Sequence, residues 1–325
     1  MSDSHDSGRP VQPPLFDVAA SGNFAPELGV IGPLRADSQL PVARYWFRRY
    51  LEEQQRPINT IKSYGYDLAK FEQCVGLKRV EQITRRDVAK FLGESNTRST
   101  KKRRLTTLGS FFRWLVEVER VISTDPTDEF YPDQIALKSP KPLHPDEQRA
   151  FLEAARDDSP RAALMCWLML RLGLGRGELL DLERMDIDVA PDGSAEITIF
   201  PRRARMQNKE RKLAASPEFG PLLAAYEEHY GIREDGKLFD MLPQSVNKLV
   251  ERIARLAGIT KKVTPQSLRD TYAVELAKAG ADEDQLLAIL GLADDSRNRM
   301  SVQRYLKLGG PPVNTAVGSQ SSDDA

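Results

Sequence analysis

The sequence predicts a mainly α-helical protein with one small antiparallel β-sheet, organised as two domains. Three observations carry that expectation. Apolar residues recur at helical spacing through 39–128 without a convincing strand, a Pro-bounded polar stretch follows at 129–142, and a second set of helices at 143–308 is interrupted by one clear β signal. The flanks 1–38 and 309–325 are rich in Pro, Gly, Ser and Asp without a sustained period, and they read as disordered tails.

In the first domain, PVARYWFRRYLEEQQ places Val42, Tyr45, Trp46 and Tyr50 near one helix face. INTIKSYGYDLAKFEQCVG follows, with Asn59 or Thr60 as N-cap and Ile61, Tyr64, Leu68 and Phe71 at helical spacing. Thr84 opens TRRDVAKFLGES, with Asp87 in the place a capping box gives to Glu or Gln. STKKRRLTTLGSFFRWLVEV turns Leu105, Leu108, Phe111, Phe112 and Leu115 inward, and the domain leaves through Asp125-Pro126. In the second domain EQRAFLEAARD and the strongly apolar PRAALMCWLMLRLGL read as helices. Gly173, Gly175 and Gly177 then punctuate the chain before GELLDLERMDID. AEITIF after the Pro191-Asp192-Gly193 turn reads as a strand, with RKLAAS as its candidate partner. Helices at 218–230 and 244–257 lead to a helix opening near Leu268, a stop at Gly280, a short helix through Leu290 and a last helix presenting Tyr305.

The composition is that of an ordinary soluble chain, 29% charged and 40% hydrophobic in 325 residues. No apolar run approaches a membrane span, and the N-terminus lacks a signal pattern. Cys74 and Cys166 stand alone and the three histidines are scattered, which suggests a reduced cytoplasmic setting and no metal site. No nucleotide or cofactor motif is visible, and no small-molecule substrate is expected.

Net charge is zero but unevenly spread: residues 41–130 carry 18 basic and 12 acidic side chains, while 1–40 and 131–325 are each at −3. Lys101, Lys102, Arg103 and Arg104 cluster in the opening turns of one helix, where the macrodipole disfavours cations. With Arg85, Arg86 and Arg98 they point to phosphate contact with a polyanion, a solvated basic face being the bland alternative.

Several motifs in order, namely YDLAKF, ITRRDVAKFL, STKKRRLTTLGSFFRWL, GLGRGELLDLERMDID, NKER, TPQSLRDTYAVELAKAG, LLAILG and finally Tyr305, make the chain from about 40 to 308 resemble a tyrosine recombinase of the Xer and phage-integrase type. The resemblance implies a helical core-binding (SAM-like) domain and an α+β catalytic domain closing around double-stranded DNA. It also implies homo- or hetero-oligomers on that DNA, and no cofactor. In such enzymes a Tyr attacks a phosphodiester, forms a 3′-phosphotyrosyl link and releases a 5′-hydroxyl. Two arginines, a hairpin lysine and two His-type positions surround the phosphate, because catalysis there depends on positioned positive charge.

By that resemblance Tyr305 falls on the nucleophile and Arg269 on the second arginine. Four positions depart. Gly175 stands at the first arginine, with Arg176 one residue later, about 100° around a helix. Met206 stands at the hairpin lysine, with Arg205, Lys209 and Lys212 nearby. Gln266 and Leu292 occupy the His-type positions, where an amide cannot exchange a proton and Leu can neither donate nor accept. Two readings follow: a strand-exchanging recombinase in which Arg176 and a nearby lysine substitute, or an accessory DNA-binding protein whose cleavage is attenuated or absent. Arg205 and Lys209 count as candidate DNA contacts in both. A helical protein-interaction module is the remote third reading, disfavoured by the basic cluster.

Overall fold

The computed structural model describes residues 32–132, 139–200, 210–231 and 236–310. The expected tails, apart from residues 32–38, 309 and 310, lie outside these residues, as do Arg205, Met206 and Lys209. Two compact units divide between residues 136 and 137, within the polar stretch 129–142.

Among the described residues, the first unit has four α-helices: α1 (Leu40–Glu53), α2 (Ile58–Val75), α3 (Arg85–Gly93) and α4 (Arg98–Arg113). A 3-10 turn at Val80–Gln82 precedes α3, and a π-helical turn at Trp114–Val118 extends α4. The core is aromatic. Phe47, Phe71, Phe91, Phe111 and Phe112 are fully buried, with Phe47 edge-on to Phe111 at 5.3 Å and Phe71 edge-on to Phe91 at 5.3 Å. Leu105, Leu108, Phe111, Phe112 and Leu115 face inward as their spacing requires. On α1 the buried stripe is Ala43, Phe47 and Leu51, one residue past the expected face; Trp46 and Tyr50 flank it, half-buried. The wide aromatic rings at 45, 46 and 50 biased the sequence pattern, while small Ala43 takes the tightest packing. The N-cap of α2 is Pro57, two residues before Asn59, because proline's fixed φ already suits helix entry. Thr84 caps α3 as expected: the Asp87 carboxylate accepts from the Thr84 N–H at 2.9 Å, and Lys78 donates to it at 2.6 Å.

The second unit contains α5 (Pro145–Asp158), α6 (Pro160–Arg171), α7 (Arg176–Asp181), β1 (Ile187–Val189), β2 (Ala195–Ile199), β3 (Arg211–Ala215), α8 (Phe219–Tyr230), α9 (Pro243–Leu256), α10 (Pro265–Lys278), α11 (Glu283–Ile289) and α12 (Ser296–Gly309). Helix α6 is buried on every side and forms the axis of the core, its Trp167 ring against Phe219 at 5.5 Å. The sheet is antiparallel in the order β1-β2-β3, with Ile187 opposite Ile197 and Ile197 opposite Leu213. β1, only three residues long, gave no alternation to read in the sequence. Helix α10 begins at Pro265, three residues before Leu268, since Thr264 accepts from the Ser267 N–H at 3.2 Å and proline suits the first turn. Helices α10, α11 and α12 share a second apolar cluster in which Tyr305 is 6% exposed.

Candidate functional site

The first turns of α10 organise the site. Gln266, Arg269 and Asp270 stand three and four residues apart, so they share one face, while Leu268 and Thr271 turn into the core. That face opens on a cavity of about 1030 Å³, also lined by Gly175, Glu178, Arg211, Leu292 and Tyr305. Exposed Lys141, Lys262 and Arg297 stand at its rim, and basic side chains outnumber acidic ones in its lining.

Arg269 is held at three points. It donates to the Gly173 carbonyl at 2.7 Å, to Glu178 Oε2 at 2.8 Å and to the Leu290 carbonyl. Glu178 is the hub: its Oε1 pairs with Arg211 at 2.9 Å, and the Gly175 N–H donates to Oε2, beside Arg269, at 2.7 Å. Burial alone would raise the Glu178 carboxyl, but Arg269, Arg211 and the Gly175 N–H outweigh it and hold the group below the usual carboxylate range. Two glycines make this geometry possible. Gly173 has φ of 65°, and a Cβ there would stand 2.3 Å from the Tyr272 ring; Gly291 has φ of 59°, and a Cβ there would stand 2.4 Å from the Arg211 guanidinium.

Tyr305 donates its hydroxyl to Asp270 Oδ1 at 2.7 Å, and Gln266 Nε2 donates to the same oxygen at 2.8 Å. Burial foremost, then the Asp270 charge, pushes the Tyr305 phenol well above its ordinary value. The structure thus brings Tyr305, Arg269, Gln266, Leu292 and Gly175 to one cavity. Arg176 is not among its lining residues: its exposed side chain donates to Asn247 on α9 at 3.1 Å. Lys212 points away on the exposed face of the sheet, where it pairs with Glu196 at 2.6 Å.

The basic cluster of the first unit divides in two. Arg98 and Lys101 are exposed and Lys102 is half-buried, and Arg86 is exposed at the start of α3. Arg85 pairs with Glu129 at 2.6 Å on the surface. Arg103 instead binds Asp67, whose side chain is 1% exposed, and Arg104 donates to the Phe91 carbonyl at 2.7 Å with its guanidinium over the Phe91 ring. Burial raises the Asp67 carboxyl despite the Arg103 charge.

Three residues of the site went unread as site residues in the sequence: Glu178, Arg211 and Asp270. Arg211 had a signal, because alternation along RKLAA puts it on the inward face with Leu213 and Ala215. Asp270 had one too, lying four residues after Gln266 and next to Arg269. Among the described residues, no group of three or more His, Cys, Asp or Glu side chains is placed to hold a metal ion, and no helix is long and apolar enough to cross a membrane.

Residues 141–308 match the phage integrase family and residues 44–119 the phage integrase N-terminal SAM-like domain. A tyrosine recombinase of Thermosipho africanus is 29% identical over 261 residues, 75% of this chain and 89% of that protein. The tyrosine recombinase XerD of Ralstonia nicotianae is 26% identical over 82% of this chain and 91% of its own. Among solved structures, the XerH site-specific recombinase in a post-cleavage complex with palindromic difH matches with a TM-score of 0.66 at 19% identity, covering 86% of this chain and 95% of that one. A lambda integrase tetramer bound to a Holliday junction matches with a TM-score of 0.66 at 16% identity, over 86% of this chain and 80% of that one. At these identities the structural likeness shows the fold.

Proposed function

The chain belongs to the phage integrase family of tyrosine recombinases, and on that footing we propose that it binds duplex DNA with attenuated strand-cleaving chemistry of its own. The observation that carries this reading is the position of the guanidinium groups around Tyr305. Gly175 leaves the expected first arginine absent, and Arg176 is tied to Asn247 away from the cavity. Arg269 and Arg211 share the single carboxylate of Glu178. A phosphoryl-transfer site depends on positive charge aimed at the equatorial oxygens, and each missing donor costs roughly 10²–10³ in rate, not additively.

Binding rests on a different set of groups. Arg86, Arg98, Lys101 and Lys102 in the first unit and Lys141, Lys262 and Arg297 around the cavity are exposed or half-exposed cations. Such groups contribute sequence-independent, salt-sensitive affinity for phosphate. XerH is bound to its difH substrate in a post-cleavage complex, and lambda integrase is bound as a tetramer to a Holliday junction. By that likeness this chain works as an oligomer on DNA, with its own copies or with a cleaving relative. Arg205 and Lys209, which lie outside the described residues, join the candidate DNA contacts by the same resemblance.

The test begins with a pool of randomised duplexes, from which bound molecules are recovered at low salt and the salt dependence of their affinity is measured. The recovered duplexes are then nicked and incubated with the protein, and covalent adducts are resolved under denaturing conditions. The expected result is binding that weakens steeply with salt and little or no adduct. Abundant adduct from the wild type, lost in Tyr305→Phe, overturns attenuation; affinity indifferent to salt overturns the electrostatic basis of binding.

A further inference from the structure

A phenol that attacks phosphorus must surrender its proton and approach a group that is itself negatively charged. The Tyr305 hydroxyl instead donates to the Asp270 carboxylate at 2.7 Å, and Gln266 fixes the same oxygen at 2.8 Å from one turn earlier on α10. Two donors therefore converge on one carboxylate oxygen, and moving that oxygen away from Tyr305 also breaks its contact with Gln266. A phosphorus poised for attack lies about 3–3.5 Å from the phenolic oxygen, which brings its oxygens up against Asp270.

The charges facing Tyr305 offset this only in part. From α10 come Asp270 itself and Arg269, whose donors serve Gly173, Leu290 and Glu178. From β3 comes Arg211, paired with Glu178 of α7; α12 supplies Arg304 and, with Lys262, the rim supplies Arg297. Arg269 and Arg304 draw the phenol down, but burial and Asp270 prevail and push it up.

We propose that Asp270 is a positioning residue that keeps Tyr305 unreactive, retaining the phenolic proton and setting a negative charge beside the place of the phosphate. The proposal rests on the reading of the chain as a DNA-binding integrase with attenuated cleavage, and it names one cause of that attenuation. With residue 270 neutral, the phenolic proton passes to solvent as the Tyr305 oxygen bonds to phosphorus. The phosphorus–5′-oxygen bond breaks, and the leaving alkoxide takes a proton from water. Acting instead as the proton acceptor in that attack, Asp270 would give the opposite result on neutralisation.

Two measurements on the full chain decide between them. The first is tyrosinate absorbance titration, with Tyr305→Phe subtracted in each background to isolate Tyr305 from the other eight tyrosines. In Asp270→Asn the Tyr305 titration is expected to fall by about one pH unit or more. The second is adduct formation on nicked duplex recovered by binding, expected to rise about tenfold or more in Asp270→Asn. Asp270→Ser serves as a second variant, and both must keep the wild-type circular dichroism. An unmoved Tyr305 titration, or adduct below the wild-type level, overturns the proposal. If wild type and variants all leave DNA uncut, the titration alone decides. Abundant wild-type adduct would refute attenuation, while the titration would still judge Asp270.

Discussion

Glu178→Gln tests the central ion cluster most directly. The substitution keeps the shape of the side chain and removes the one negative charge shared by Arg269 and Arg211. Those arginine side chains are 12% and 10% exposed and Glu178 is 26% exposed, so solvent replaces little of what is lost. Among the described residues, two buried nitrogens of Arg211, Nε and one Nη, have no hydrogen-bond partner, which leaves that guanidinium little else there to turn to. Removing one member of a buried ion pair typically costs 3–5 kcal/mol. Arg269 keeps the Gly173 and Leu290 carbonyls, so the lower end, about 3 kcal/mol, is expected here. For a unit of this size that corresponds to a fall in Tm of roughly 6–12 °C at pH 7, read by circular dichroism. The pH dependence carries a sign. The folded Glu178 carboxyl is depressed, so its contribution is complete above the unfolded value, about 4.3, and fades as pH falls through the lower folded value. The gap between wild type and variant should therefore be full at pH 6–7 and close as the solution is acidified below about pH 4.3. A variant as stable as wild type at pH 7 would refute the hub role, as would a gap that does not narrow in acid.

Three further variants separate structural cations from DNA contacts and test the backbone of the site. Lys101→Ala with Lys102→Ala should reduce the slope of log affinity against log salt by roughly 2, and an unchanged slope would remove these lysines from the DNA interface. Arg103→Ala should instead lower stability by about 2–3 kcal/mol in urea unfolding, because it takes the ion-pair partner from the buried Asp67 carboxylate and leaves it the Thr107 hydroxyl at 3.1 Å and the more distant charge of Arg104. The salt slope of its folded fraction should stay as in wild type; a stable variant with a lower slope would make Arg103 a DNA contact. Gly173→Ala forces a left-handed backbone and drives a Cβ to 2.3 Å from Tyr272, so a loss of roughly 2–4 kcal/mol is expected. An unchanged urea midpoint would show that the Gly173 turn is not strained in this way.

What the sequence revealed and what it concealed have a common physical cause. Helical periodicity, the Thr84–Asp87 cap and the inward face of α4 are local, fixed by residues three or four apart, and each is present in the fold. Pairings across long sequence separations were not legible. Asp67 lies 36 residues before Arg103, on another helix, and nothing in the run Lys101–Arg104 marks which cations turn inward to meet it. Charge counting therefore assigned one role to side chains that the packing divides in two. The same limit applies at the cavity. Glu178 could be read as a marker of register but not as the partner of arginines 33 and 91 residues away. Only the backbone brings Asp270 and Tyr305, 35 residues apart, to hydrogen-bonding distance. The departures at Gly175, Gln266 and Leu292 were visible as a missing cation and two missing proton carriers, because an absent functional group needs no geometry to be noticed. An added carboxylate does need geometry, since its effect depends on whether it meets solvent or a phenol. Here it meets the phenol, so the chemistry of Tyr305 depends on a residue whose significance lies entirely in the fold.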